Sequence, residues 1–182
     1  MWWRKASKGG GLLKRFKKSQ AGVTAIEFAM VGGPFIYLLG VIFETGLMLF
    51  SEYVIENGVA QSARMIRTGQ AQAANMSAAD FKTQVCGRMA AFLDCANKLH
   101  IDVRKFTAFS DVNMPSPIKN NDLSDDVTKN AQYQPGGPME VVVVRAYYEW
   151  KLFMPGISQL ANISDGRRLL SSGAAFRNEP FN

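Results

Sequence analysis

The sequence GVTAIEF at residues 22–28, followed by an apolar run that continues to Phe50, decides the fold of this chain. No charged residue lies between Phe28 and Phe43, and a helix needs about 20 mostly apolar residues to cross the hydrocarbon core of a bilayer. Glu27 lies at the start of this run. A carboxylate costs about 2.5–3.5 kcal/mol at the centre of a membrane and less near its surface, so an acid here calls for a functional explanation. The stretch predicts a membrane-spanning helix with a functional carboxylate at its N-terminal edge.

The same stretch also has a characteristic spacing between Gly22 and the acid. A small residue, four further residues, then Glu27 and the aromatic Phe28, is similar to the pattern that prepilin peptidases process in class III leaders, with the cut just after the glycine. On this interpretation Gly22 and Val23 flank the cleaved bond, and Glu27 becomes the fifth residue of the mature chain. The alternative is an uncleaved signal anchor whose Glu27 side chain reaches the lipid headgroups.

The positive charge of the chain is concentrated before Gly22. The net charge of the 182 residues is +6, yet seven lysines and arginines and no acid precede Gly22, which leaves the remainder at −1. Positive residues beside a first span hold that flank in the cytoplasm and send the C-terminal side outward. We therefore interpret residues 1–22 as a leader and expect no nucleic-acid partner. A Sec signal fits less well, because its apolar region is usually about 7–15 residues and ends at an A-x-A-like site, which is absent here.

Cys86 and Cys95 are the only two cysteines, and both follow the predicted span. An oxidising compartment favours a disulfide between them. A metal site or a catalytic thiol would need more partners than the single His100 provides. Nine residues of straight helix would separate the two Cα atoms by about 13.5 Å, beyond the limit of about 7 Å for a disulfide. The pairing therefore predicts a break in the helix near Gly87.

The helix that begins at Val23 is predicted to run past the membrane to about Thr68, as a stalk, and the small, polar segment Gln70–Met76 is predicted to form a hinge after it. Ile55, Val59, Ala63 and Ile66 recur at helical spacing and mark a face that packs against a domain. Gly32-Gly33-Pro34 predicts a kink or local unwinding, because proline removes one backbone hydrogen bond. A second acid, Glu44, lies in the middle or outer part of the apolar run. The sequence leaves open whether Glu44 meets lipid headgroups or a neighbouring subunit.

Three predicted strands follow the stalk. They span Leu99–Phe109, Met139–Trp150 and Arg168–Asn178, and the run of four valines from Val141 gives the strongest strand signal in the chain. The predicted fold class is α+β: a long N-terminal transmembrane helix continues as a stalk and packs against a small three-stranded antiparallel sheet domain. The predicted divisions are a leader at 1–22, the spanning and stalk helix at 23–68 and an exported α+β domain at 69–182.

No catalytic constellation is legible in the sequence. Ser171-Ser172-Gly173 lacks the frame of a nucleophile elbow. The acids Asp122, Asp125 and Asp126 match no known calcium loop and predict a solvated turn, as does Arg167-Arg168. We therefore expect a protein that is not an enzyme, with no catalytic residues, no metal site and no cofactor.

The chain resembles the TadE-like pseudopilins, or minor pilins, of the bacterial Tad (Flp) tight-adherence pilus. GVTAIEF at 22–28 is similar to the processing site of that family. GVIFETG at 40–46 and AQSAR at 60–64 resemble its apolar helix and the amphipathic extension of that helix. RNEPF at 177–181 is similar to the R-x-E-P-aromatic terminus of many such chains. The loop at 110–138 carries no recognisable motif.

The resemblance implies a minor pilin or pseudopilin that takes part in assembly of a Tad-type pilus and in cell adhesion. Its partners would be a prepilin peptidase, other pilins of the Tad machinery and inner-membrane lipid. The N-terminus would be cytoplasmic and the C-terminal domain periplasmic. Glu27, beside Phe28, would neutralise the new amino terminus of a neighbouring subunit inside the membrane. The runner-up is an uncleaved single-span protein whose exported domain acts as an adhesin or envelope adaptor. Location at the pilus tip or in the membrane complex stays open.

Overall fold

The computed structural model of the protein describes residues 22–154 and 160–181, so the predicted leader, apart from Gly22, lies outside the described residues. The α-helices and strands are numbered in chain order, and a short 3-10 helix at Phe109–Asp111 lies between β1 and β2. The elements are α1 Val23–Arg67, α2 Gln70–Ala73, α3 Ala78–Cys86, α4 Cys95–Lys98, β1 Leu99–Phe106, β2 Ile118–Lys119, β3 Asp122–Leu123, α5 Asp125–Thr128, β4 Val141–Lys151 and β5 Arg167–Arg177.

The long helix α1 has the predicted extent. It begins at Val23 and ends at Arg67 after 45 residues, and Gly69 follows with a left-handed φ of 78°. Pro34 lies inside the helix, and the helical conformation continues through it, so the local unwinding expected there does not occur. The contacts divide the chain at residue 42, into an N-terminal unit up to Ile42 and a C-terminal unit from Phe43 onward.

Within the C-terminal unit, one face of α1 is buried against the rest of the domain. Ile55, Val59, Ala63 and Ile66 are all buried, as their helical spacing predicted. They share one hydrophobic core with residues of the sheet, including Val142, Val144, Leu99 and Leu170. Small residues let the neighbouring helix approach: a Cβ at Gly58 would lie 3.4 Å from the carbonyl oxygen of Val85 in α3. The outer part of the stalk is thus a core element of the domain.

The main sheet has three antiparallel strands in the order β1-β4-β5, which confirms the predicted fold class. The valine run of β4 occupies the centre, where a strand is covered on both edges and apolar residues are favoured. Val103 pairs with Val144 on one side, and Val144 pairs with Ala174 on the other. Leu170, Ala174 and Phe176 of β5 point toward the core, as residues at even spacing along a strand do.

The loop between β1 and β4 is more ordered than its composition indicated. It contains the hairpin β2-β3, the short helix α5 and a bridge that places Tyr133 parallel to Val103 beside the sheet. Val127 of α5 is buried with Tyr147, Ile163 and Leu169 in a second, smaller apolar cluster. This cluster covers the sheet face opposite the stalk.

Arg167 was expected in a solvated turn, and that expectation was wrong for its side chain. The Arg167 guanidinium is three-quarters buried, contacts Glu149 and lies 3.2 Å from Asp122 of β3. Glu149 also lies 3.2 Å from His100 across the sheet. Pairing of β4 with β5 places Arg167 near Glu149, and pairing of β1 with β4 places His100 near Glu149, which sequence spacing alone does not reveal.

Candidate processing and assembly site

The residues of the predicted cleavage site are exposed within the N-terminal unit. Gly22 directly precedes α1, and no atom lies within 4 Å of the position that a Cβ would take there. Val23 is the first residue of the helix, and Glu27 is exposed one turn later. Phe28 is 77% exposed, and a Cβ at Gly32 would lie 3.6 Å from its ring. The structure thus brings Gly22, Val23, Glu27 and Phe28 together at an accessible helix start.

The described part of the N-terminal unit contains no buried residue. Its apolar side chains are exposed all round the helix, including those of Ile26, Met30, Val31, Phe35, Ile36 and Leu38. A helix that is apolar on every face needs either lipid or other protein to cover it. By length and composition α1 is able to cross a membrane, and none of its most apolar 18-residue window is buried.

Glu44 occupies the first turn of α1 in the C-terminal unit, and its side chain is only 1% exposed. Its Oε1 atom accepts hydrogen bonds from the backbone N–H groups of Phe153 and Met154, the latter at 3.2 Å. The other carboxylate oxygen, Oε2, is buried without a hydrogen-bond partner. Glu44 therefore binds Phe153 and Met154, just after β4, to the stalk helix, and the C-terminal unit itself covers its side chain.

The predicted disulfide is present between Cys86 and Cys95, with Cα atoms 5.6 Å apart. The helix α3 ends at Cys86, and Gly87 forms its C-cap, so the predicted break near Gly87 is confirmed. Ser77 opens α3 with a capping box in which Asp80 accepts a hydrogen bond from the Ser77 backbone N–H at 3.0 Å. The hydrogen bonds from Ser77 lower the pKa of Asp80. The disulfide and this cap fix both ends of the short helix.

The C-terminal motif lies against the end of the stalk helix. The backbone N–H of Glu179 donates to the carbonyl of Arg67 at 2.8 Å, and the side chains of the two residues form an ion pair at 3.3 Å. The ring of Phe181 covers Gly69, and a Cβ at Gly69 would collide with that ring. We call residues 178–181 the terminal clasp, since their contacts close the last turn of α1.

A second group of contacts anchors the clasp to the loop before β4. The Asn178 side chain donates to the carbonyls of Pro135 and Gly137 at 3.0 and 2.9 Å. Gln72, in the segment after the stalk, donates to the same Pro135 carbonyl at 2.9 Å. Residues 70–76, predicted as a hinge from their small and polar composition, are therefore held by side-chain hydrogen bonds, and Ala71 is buried.

The charged residues that are deeply buried in the sheet have structural partners. Asp102 is 1% exposed and contacts Arg104 at 2.9 Å and Arg145 at 3.2 Å. Its carboxylate also accepts from the backbone N–H of Gln132, and Arg145 lies over the Tyr147 ring. Among residues 22–154 and 160–181, no three His, Cys, Asp or Glu side chains are grouped to hold a metal ion.

The fold and these sites define a class of protein: an α+β domain carried on a long helix whose N-terminal part is apolar and exposed enough to cross a membrane. A family model described as TadE-like protein matches residues 22–64, which include the predicted cleavage site, the apolar run and most of the buried stalk. Over these residues the match confirms the resemblance drawn from the sequence. Searches of curated proteins and of solved structures gave no match.

Sequence reasoning missed two parts of this arrangement. The buried position of Glu44 had a signal, because Glu44 precedes Met48, Ser51 and Ile55 at the helical spacing of the buried face. The role of Asn178 had none, since its partners are backbone carbonyls about 40 residues away in the chain.

Proposed function

We propose that this protein is a minor pilin or pseudopilin that takes part in assembly of a Tad-type pilus. In this proposal the precursor is a single-pass inner-membrane protein with its N-terminus in the cytoplasm and its domain in the periplasm. A prepilin peptidase cuts between Gly22 and Val23, and the processed subunit then joins other pilins through its apolar helix. The observation that carries the proposal is the TadE-like match, which begins at Gly22 itself.

The exposure of the first turns of α1 supports this role. A protease must reach the backbone at Gly22, and glycine offers no side chain to obstruct it. Once the leader is removed, Val23 carries a free ammonium group one turn from Glu27. The all-round apolar surface that follows suits lipid before assembly and the stalks of other subunits after it.

Glu27 has a physical reason to act between subunits. An ammonium and a carboxylate about 4 Å apart attract by about 1 kcal/mol in water and by about 4 kcal/mol at an effective dielectric of 20. The attraction therefore grows when assembly excludes water around the new amino terminus of a neighbour. The exposed Glu27 side chain is free to reach that neighbour, and the exposed Phe28 ring would pack beside it.

The cleavage step is tested by the mass of the protein purified from membranes with and without an active prepilin peptidase. We expect the mass of the wild type to fall by residues 1–22 only when the peptidase is present. Gly22→Leu should remain full length. Gly33→Leu, at another open glycine of the same helix, should be cleaved normally and is the matched control. A persistent Met1 terminus in membranes with active peptidase would refute the proposed processing and favour the uncleaved anchor.

The assembly step is tested with Glu27→Gln, which keeps the size and polarity of the side chain and removes its charge. We expect this variant to be cleaved but to co-purify poorly with the partner pilins. Glu56→Gln removes the charge of an exposed acid on the same helix and should co-purify normally. Recovery of processed Glu27→Gln in assembled complexes at the level of Glu56→Gln would reduce Glu27 to a recognition residue for the peptidase.

A further inference from the structure

The C-terminal unit contains an apolar groove at the foot of its sheet. The groove has a volume of about 650 Å³. Its walls come from α1, from the segment between the two cysteines, from α4 and from the end of β4, through side chains that are apolar, aromatic or cationic. The residues that matter here are Leu47, Phe92, Lys98, Trp150, Lys151 and Phe153.

Three hydrogen-bond donors of this groove lack acceptors among the described residues. Trp150 is 7% exposed, and its indole Nε1 is buried without a hydrogen-bond partner. Neither Lys98 nor Lys151 has a carboxylate within ion-pair distance in the part of the chain that the structure describes. A buried donor without an acceptor is costly, and two unpaired ammonium groups beside an apolar groove favour an anionic ligand. The occupant needs both an anionic group and apolar surface.

The groove lies beside the part of α1 that directly follows its uncharged stretch. Phe43 is the last residue of the run without charge, and Leu47 follows one turn later, about 6 Å further along the helix. Two rings of the groove are exposed to solvent, Phe92 by 55% and Phe153 by 71%. Aromatic rings together with lysines are typical of the zone where a membrane meets water.

We propose that this groove binds an acidic phospholipid of the outer leaflet of the membrane that α1 crosses. The lipid phosphate would lie between the ammonium groups of Lys98 and Lys151, and its acyl chains would cover Phe92, Phe153 and the edge of Trp150. The side of the membrane rests on the orientation in the proposed function. The apolar stalk of another subunit fits the groove less well, because a neutral helix leaves both lysines without an anion.

Fluorescence of Trp150 provides a direct test. The chain has three tryptophans, and the other two, Trp2 and Trp3, lie in the leader. In the full chain carrying Trp2→Phe and Trp3→Phe, Trp150 is the only tryptophan, and excitation beyond the tyrosine absorption band selects its emission. This protein is reconstituted in nanodiscs that contain increasing fractions of phosphatidylglycerol or phosphatidylcholine with brominated acyl chains. We expect half-maximal quenching at a far lower fraction of brominated phosphatidylglycerol than of brominated phosphatidylcholine. The reason is that each lysine near an acidic surface raises the affinity by a factor of about five.

Charge removal at the groove is the second arm of the test. The double variant Lys98→Gln, Lys151→Gln should lose most of the preference for the acidic lipid. The ratio between the two half-maximal lipid fractions should fall by more than about tenfold. Lys119→Gln with Lys129→Gln removes two exposed charges from the loop region at β2 and α5 and should retain the preference. The basic leader is identical in all variants, so its attraction for acidic lipid cancels.

Three outcomes would overturn the proposal. The first is equal quenching of Trp150 by the two lipids. The second is quenching by neither lipid, which would indicate that a protein segment occupies the groove. The third is an equal loss of the preference for acidic lipid in the two double variants. None of these outcomes depends on leader cleavage or pilus assembly. A failure of the lipid site therefore remains separate from a failure of the proposed function.

Discussion

Replacing Glu44 by alanine tests whether the stalk helix is fixed to the domain at the C-terminal end of β4. The substitution removes the acceptor of two backbone N–H groups, those of Phe153 and Met154, in a place where the carboxylate is 1% exposed. Each buried donor that loses its acceptor costs about 1–3 kcal/mol. We therefore expect Glu44→Ala to lower the free energy of unfolding by about 3–5 kcal/mol. Glu44→Gln keeps an oxygen acceptor without charge, and we expect a loss of about 1–2 kcal/mol.

The measurement is thermal unfolding of the full chain in detergent micelles, followed by near-ultraviolet circular dichroism. For a chain of this size, 1 kcal/mol shifts the midpoint by about 2–4 °C, so Glu44→Ala should unfold at least about 6 °C below the wild type. Glu56→Ala removes an exposed acid from the same helix and should stay within about 0.5 kcal/mol of the wild type. If the unfolding midpoints of Glu44→Ala and Glu44→Gln both equal that of the Glu56→Ala control, Glu44 does not hold the segment after β4 to the stalk.

Three further predictions concern other parts of the C-terminal unit. Cys86 and Cys95 are nine positions apart, and replacing both by alanine should lower the free energy of unfolding by about 2–3 kcal/mol because the loop is no longer closed. Reduction of the wild type should have the same effect. Alkylation before and after reduction counts the free thiols. Gly69→Ala should lower stability by at least about 1 kcal/mol, because φ is 78° and the clasp ring covers the glycine, whereas Gly46→Ala in an open helical position should be neutral or stabilising. The hydrogen bond from the backbone N–H of Gly137 and the nearby Lys105 lower the pKa of Glu140 in the folded protein. The ionised Glu140 therefore contributes to stability above the pKa that it has in the unfolded chain, and this contribution is lost as the pH falls through its pKa in the folded protein. The unfolding midpoint of Glu140→Gln should therefore depend less on pH below about 4.5 than that of the wild type.

The parts of the fold that sequence could predict are those in which one short segment contains the whole signal. The spacing of Ile55, Val59 and Ile66 indicated a buried helix face, and each of these residues is buried. The valine run of β4 indicated the central strand. The disulfide limit on Cα separation forced a helix break near Gly87, because helical rise and sulfur geometry cannot both be satisfied without one.

The parts that sequence could not predict depend on contacts between distant segments. Arg167 looked like a surface residue because its partners, Glu149 and Asp122, lie 18 and 45 residues away. Residues 70–76 looked like a hinge because glutamine and alanine are common in linkers, yet Gln72 reaches carbonyls 63 and 64 residues further on. Side-chain to backbone bonds of this kind leave no periodicity in the sequence. Only the folded structure shows which distant segments come into contact.

The positions of Glu44 and of the terminal clasp have a mechanical consequence for the stalk. Within the C-terminal unit, α1 is attached to the domain near both of its ends, at Glu44 by backbone hydrogen bonds and at Arg67 and Gly69 by the clasp. Glu44 and Arg67 are 23 positions apart, about 35 Å along the helix, and one face of this stretch lies in the core. A helix held along one face and at both ends resists bending or peeling, since either motion must break several contacts at once. A pull on α1 within the C-terminal unit is therefore expected to move that unit as one piece, a property that the proposed assembly function requires.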